Sequence, residues 1–301
     1  MKSEIKIILV PTDFKNRSGN ALQVAAKMAQ RHNAKLIVTH VINAYYMIDH
    51  GGKQLIGSQT LQQNIDNTTR KLEALQTKLK SKYNLAAQVQ ISTQNIVDTI
   101  NDFIVSDNVD VVVMGTSGKQ KMKHFILGST SYNALLHANC SVLLIPEKFQ
   151  KTTFEKILFP VRVKHELHQK ADLSVLLARK NNGDINLLGV GNPQSNAMVR
   201  QAYIEMKKNL AIKSADFISE FKFSRDSADL IAEAAKSKNS DIIMLADQDE
   251  DSWKSFMAEN FFKKMINRTD IPLFIVKSKL KKIKNNTERL TGYDVTLPVP
   301  G

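Results

Sequence analysis

Residues 114–146 read M-G-T-S-G-K-Q-K-M-K-H-F-I-L-G-S-T-S-Y-N-A-L-L-H-A-N-C-S-V-L-L-I-P, and the fold follows from how they are parsed. The apolar residues just ahead, from Val111 to Met114, have the length and β-branching of a buried strand that ends at Gly115. Gly118 follows, and nine residues then separate it from Gly128, which opens Ser129-Thr130. Ala134, Leu135 and Ala138 keep helical spacing, and a second apolar strand closes the unit at Pro146. Glycines let a backbone approach a ligand where a Cβ would stand in the way. Ser129 and Thr130 would sit at a helix N-terminus, whose free N–H groups and dipole favour an anion. The stretch therefore has the chemistry of a phosphate cradle. The plainer alternative is a structural loop with two turn glycines and a serine N-cap.

Working outward, the same strands recur. Ile7-Ile-Leu-Val-Pro11-Thr-Asp13 is echoed by Ile157-Leu-Phe-Pro160-Val-Arg162, and residues 36–41 by residues 185–190. Residues 109–114 are answered by 240–245, and 141–146 by 272–277. The chain reads as a tandem duplication with its boundary near 147–154. Each half alternates short apolar strands with amphipathic helices, which argues a parallel sheet covered on both faces. In the first half helices are expected from about Ser18, over 60–82 and over 95–106, with a glycine-containing loop at 43–57. Right-handed crossovers bring the loops after the strands to one edge, where such sheets bind ligands. On residues alone, Asp13 reads equally as a ribose-binding carboxylate or as an acid at a helix start.

The spacing G-x2-G-x9-G-[S/T], filled by Gly115, Gly118, Gly128 and Ser129, resembles the ATP-binding signature of the universal stress protein family at every fixed position. Four constraints in a strand–loop–helix–strand context are far more specific than a lone G-x-G-x-x-G. The resemblance covers residues 1–277, at the motif in the first half and at the scaffold in the second. It implies an α/β fold of two tandem Rossmann-like domains, each a five-stranded parallel sheet of order 3-2-1-4-5 flanked by helices. The implied domains are 1–148, with the motif intact, and 152–278, with it degenerate, followed by a basic tail, 279–301. Pro11, Thr12 and Asp13 match the family's nucleoside contact, Val41 its adenine-holding backbone, and Met114 a residue lining the site. Gly115, Gly118, Gly128, Ser129 and Thr130 match the phosphate loop. ATP, with or without Mg2+, is the implied cofactor. The family pairs through its last strand, so a homodimer, or an internal pseudo-dimer of 142–145 against 273–276, is expected.

The second half keeps the scaffold and loses the chemistry. Asp13 becomes Arg162, the first glycine pair becomes Leu245-Ala-Asp-Gln248, and Gly128-Ser129-Thr130 falls at about Ala258-Glu259-Asn260. An acidic run, 247–251, stands where phosphates would lie and repels them. The net charge of +13 is spread over helix faces and concentrated only at 277–284. No zinc-finger spacing, aromatic RNA platform or helix-turn-helix accompanies it, so nucleic acid is not the expected partner. No apolar run is long enough to span a bilayer, and the single Cys140 suits a reducing cytoplasm. No catalytic or metal-binding set emerges. His124 lacks a second ligand at metal spacing, and His40 reads as a satisfied core histidine. The expected function is a nucleotide-responsive regulator in stress rather than an enzyme. A slow ATPase and a nucleotide-independent interaction module using the basic tail are the alternatives.

Overall fold

Runs of Val, Ile and Leu four to eight residues long form the strands, because branched side chains pack well on a pleated surface buried on both sides. The computed structural model describes residues 4–42, 46–49, 52–55, 58–116, 129–163, 168–191, 196–247, 261–277 and 295–296. The first half runs β1 (Ile7–Pro11), α1 (Asn16–His32), β2 (Lys35–Val41), β3 (Tyr46–Asp49), β4 (Gly52–Leu55), α2 (Ser58–Tyr83) and β5 (Gln88–Ser92). It continues with α3 (Ile96–Ser106), β6 (Val111–Thr116), α4 (Ser129–His137) and β7 (Ser141–Pro146). The second half runs β8 (Lys156–Val161), α5 (His168–Asn181), β9 (Asp184–Gly191), α6 (Asn196–Ile212) and β10 (Phe217–Phe223). It closes with α7 (Ser227–Ser237), β11 (Ile242–Ala246), α8 (Phe261–Arg268) and β12 (Leu273–Val276), and β13 (Val295–Thr296) follows.

One sheet carries the order β10-β9-β8-β11-β12-β7-β6-β1-β2-β5-β13. Within each half this is the expected 3-2-1-4-5 arrangement, all parallel. The halves join through antiparallel β7 and β12, with Val142 opposite Ile275 and Leu144 opposite Leu273. Both strands are wholly buried, so the seam is core rather than surface. One apolar layer packs α1, α2, α5 and α6 on one face and runs through both halves. The other face is covered by α3, α4, α7 and α8. Two features differ from the sequence reading. Part of the 43–57 loop forms a hairpin, β3 with β4. In the tail, Val295 and Thr296 pair antiparallel with Ile91 and Gln90 at the edge of the sheet.

The duplication extends to backbone detail. Helices α1 and α5 end in a left-handed asparagine, Asn33 and Asn182. Asn84 and Ser214 follow α2 and α6 in that conformation, and Asn108 and Asn239 follow α3 and α7. A residue with positive φ lets the chain turn back over the last carbonyls, and asparagine tolerates it best after glycine. Asn95 and Asp226 occupy equivalent N-caps, each accepting from two backbone N–H groups of α3 or α7.

Asp110 and Asp241 are a further matched pair. Asp110 Oδ2 accepts from the N–H groups of Lys6 at 2.7 Å and Ile7 at 3.0 Å. Asp241, only 3% exposed, accepts from the N–H groups of Glu155 and Lys156 at 2.9 Å each and from Lys151 Nζ at 2.6 Å. Removing it takes the acceptor from two backbone donors and from the Lys151 ammonium. Asp241→Ala is therefore expected to lower stability by about 3 kcal/mol, and Asp241→Asn, which keeps an acceptor oxygen, by about half of that. Urea unfolding followed by circular dichroism checks both; an alanine variant as stable as the parent would contradict the assignment.

Candidate functional site

The strand order reverses direction between β1 and β6, since the chain moves from β1 towards β2 but reaches β7 from β6. Ligands of open α/β sheets bind beyond the strand C-termini at such a switch point. There the turn after β1, the end of β6 and the start of α4 come together. Pro11 is half-buried and closes β1. Thr12 is buried; its N–H donates to Thr39 O at 2.8 Å, extending the ladder with β2 one residue further.

Asp13 stands exposed at the rim and serves the start of α1. Its Oδ1 accepts from Ser18 Oγ at 2.6 Å and from the Lys15 N–H at 3.0 Å. Burial works to raise its pKa. The Ser18 and Lys15 hydrogen bonds and the Lys15 charge outweigh that and hold it below the ordinary aspartate value. Oδ2 has no protein partner among the described residues. One carboxylate thus shapes the helix start and still offers an acceptor outward.

Phe14, the next residue, has φ 58, a left-handed conformation that bulky side chains seldom adopt. Thr12 Oγ1 holds it there by accepting the Phe14 N–H at 3.0 Å. The Phe14 ring lies 4.7 Å from that of His40, and Lys71 Nζ is 5.6 Å from its centroid. His40 Nδ1 donates to the Thr12 carbonyl at 2.7 Å, and burial pushes its pKa below the ordinary histidine value. A carbonyl can only accept, so the neutral ring carries its proton on Nδ1 and leaves Nε2 as an acceptor. Sequence reading treated His40 as a core histidine and passed over Ser18, Phe14 and Lys71. The Thr12–Ser18 and Thr12–Phe14 spacings were the available signal, as a threonine can bond an N–H two residues on.

Met114 is buried opposite Leu144, and Val41 ends β2 opposite Ser92. Gly115 has a reason unrelated to phosphate. A Cβ there would lie 2.3 Å from the Arg17 carbonyl oxygen, so the first turn of α1 packs directly on β6. Ser131, in the first turn of α4, donates to Gly115 O at 3.2 Å and ties that helix start to the strand end. Ser129 and Thr130 begin α4. Their side chains, Gly118, Gly128 and the loop lysines lie outside the described residues, as do 248–251 and 258–260 of the second half.

Strand register corrects one detail of the comparison between halves. Ile8 pairs with Val111 and Ile157 with Ile242, which sets Ala246, not Leu245, at the place of Gly115. The places matching Asp13 and the start of α4 touch each other in the second half. Arg162, in the place of Asp13, stacks 4.1 Å from the ring centroid of Phe261 and donates from Nε to Ser227 Oγ at 3.2 Å. Phe261 opens α8, the counterpart of α4. Lys170 is fully buried and donates to the carbonyl of Pro160, the counterpart of Pro11, at 2.6 Å. Lys277 links the halves: its buried Nζ donates to the carbonyls of Leu135 and, at 2.8 Å, Ala138. It so neutralises the negative end of α4, and burial pushes its pKa down to about 8.

Comparison with known proteins agrees with this geometry. The family model described as "Universal stress protein family" matches residues 4–146. Universal stress protein A homolog 1 of Coxiella burnetii is 33% identical over 143 residues, covering 46% of this chain and 95% of the relative. A universal stress protein of Methanocaldococcus jannaschii is 24% identical, covering 46% of this chain and 81% of the relative. A crystal structure of a universal stress protein from Archaeoglobus fulgidus spans both halves, with TM-score 0.69 and 16% identity, covering 91% of this chain and 99% of that one. Among the described residues no helix is long and apolar enough to cross a membrane, and no cluster of His, Cys, Asp and Glu could hold a metal ion. The chain belongs to the universal stress protein family.

Proposed function

We propose that the chain is an ATP-binding regulator of the stress response, with one nucleotide site in the domain 1–148 and a degenerate partner domain, 152–278. The carrying observation is the meeting of the Asp13 turn, the end of β6 and the N-terminus of α4 at the switch point, while in the second half Arg162, in the place of Asp13, stacks on Phe261. The glycine spacing and the family membership support the same reading. In it, Asp13 Oδ2 accepts from a ribose hydroxyl and the Val41 backbone holds the adenine edge. Gly118, Gly128, Ser129 and Thr130 hold the phosphates, with Mg2+ as a bridging ion. The response is a change in shape or partner affinity, since a bound ligand shifts a conformational equilibrium only by its differential affinity. Phosphoryl transfer needs a positioned base or water-orienting group, and the sequence 115–128 carries no acid, so slow rather than efficient hydrolysis fits this reading.

Calorimetric titration of the full chain with ATP, with and without Mg2+, tests the reading. Saturable binding is expected, and no binding in either condition would overturn it. A competing reading makes the chain a nucleotide-independent module acting through the tail 279–301. The pairing of Val295 and Thr296 with β5 folds part of that tail back on the sheet. Truncation after residue 278 is therefore expected to leave ATP affinity within about twofold; loss of all binding activity on truncation, with no ATP response in the parent, would favour the module.

A further inference from the structure

At the sheet edge opposite the cradle, the two halves enclose a cleft of ≈ 1180 Å3. One wall is the segment leading into β1 with the last turn of α1; the other is α5 with the end of α6. The volume lies just above the roughly 300–1,000 Å3 usual for small-molecule pockets, which leaves room for a ligand with an extended body. Ile5 and Val175 form an apolar floor, and Ile212, 84% exposed, adds apolar surface at the mouth.

The charges around this floor are unbalanced. Both carboxylates of the lining are already matched, Glu4 by Lys6 at 3.0 Å and Asp172 by Lys213 at 2.6 Å. Lys35 turns away to Asp107 at 3.3 Å. Arg179 and Lys180 also line the cleft, and neither meets a carboxylate among the described residues. Beside them His32 lines the cleft with its Nε2 buried and without a hydrogen-bond partner. Burial first, and then the charges of Lys180 and Arg31, push its pKa down to about 4. A buried polar atom without a partner is unfavourable, and Lys180 together with Arg179, whose Nη2 donates to the Lys213 carbonyl, gives the same lining an excess of positive charge that favours an anion.

We propose that this cleft binds a small amphiphilic anion, a carboxylate or phosphate head on an apolar body. The head lies among Arg179, Lys180 and His32, and the body covers Ile5, Val175 and Ile212. Because the walls come from different halves, occupancy also fastens the halves together, independently of the nucleotide site.

The test uses the full chain, with dodecanoate, dodecyl phosphate, inorganic phosphate and dodecyltrimethylammonium as probes, each below its micelle-forming concentration. Calorimetry is expected to show one dodecanoate or dodecyl phosphate per chain, with the His32 ring resonances shifting on addition. Dodecyltrimethylammonium and inorganic phosphate should bind at least tenfold more weakly, which separates the amphiphile from a detergent effect and from a bare anion site. Lys180→Glu and Ile212→Asp alter exposed side chains, so melting temperature and ATP binding should hold while anion affinity falls at least tenfold. Equal binding of the cationic probe, phosphate as tight as dodecyl phosphate, or unchanged affinity in both variants would each overturn the proposal. ATP titrations of the same variants keep a failure here distinct from a failure of the nucleotide reading.

Discussion

Gly115→Ala is expected to destabilise the chain by about 3 kcal/mol or more, before any effect on a ligand is considered. The added Cβ would stand 2.3 Å from the Arg17 carbonyl oxygen and 2.6 Å from its carbon. Both are main-chain atoms of the first turn of α1, so no side-chain rotation relieves the clash. The helix would have to lift from β6, opening a layer in which Ala21, Val24 and Ala25 are fully buried. Chemical denaturation should show a lower midpoint with an unchanged slope. A variant as stable as the parent would mean that α1 shifts freely and that Gly115 is not a packing residue. This makes the first motif glycine part of the scaffold that aims the turn at Asp13.

Much of this scaffold was legible in residue patterns. Periodicity located the first-half helices and the core strands of both halves to within a few residues, because both signals depend on neighbours close in the chain. The seam between β7 and β12 was expected from the family resemblance rather than from residue patterns, and the wholly apolar Val142–Ile145 and Leu273–Val276 fit the cover it gives them. What escaped depends on partners distant in sequence. Lys277 looked like the start of a solvated basic tail, yet its ammonium caps α4 across the seam. Lys170 sits at a helix start where lysine is normally hydrated, yet it is fully buried against Pro160. Nothing local distinguishes either from a surface lysine. The left-handed asparagines Asn33, Asn182, Asn108 and Asn239, by contrast, are local helix-stop signals. The cradle itself was read through residues 117–128, which lie outside the described residues.

One equivalent of ATP per chain is the expected stoichiometry, and Gly118→Val should reduce it to none while leaving the denaturation midpoint near that of the parent. A branched side chain at Gly118 would occupy space that a phosphate needs. The second half cannot substitute, for reasons of space as well as charge. A nucleoside there would have to displace the Arg162–Phe261 stack at 4.1 Å. A cation–π contact at a partly buried site is worth about 0.5–2 kcal/mol. Asp247 begins an acidic run on the phosphate side. Each like charge at ~4 Å adds about 1 kcal/mol in water and about 4 at an effective dielectric of 20. Arg162 is a cation, but its guanidinium is already committed to Phe261 and Ser227, so its charge is not presented to a ligand. Equilibrium dialysis or calorimetry of the parent and the Gly118→Val chain decides the matter. A full equivalent of ATP retained by the folded variant would place the site in the second half and prove the assignment wrong.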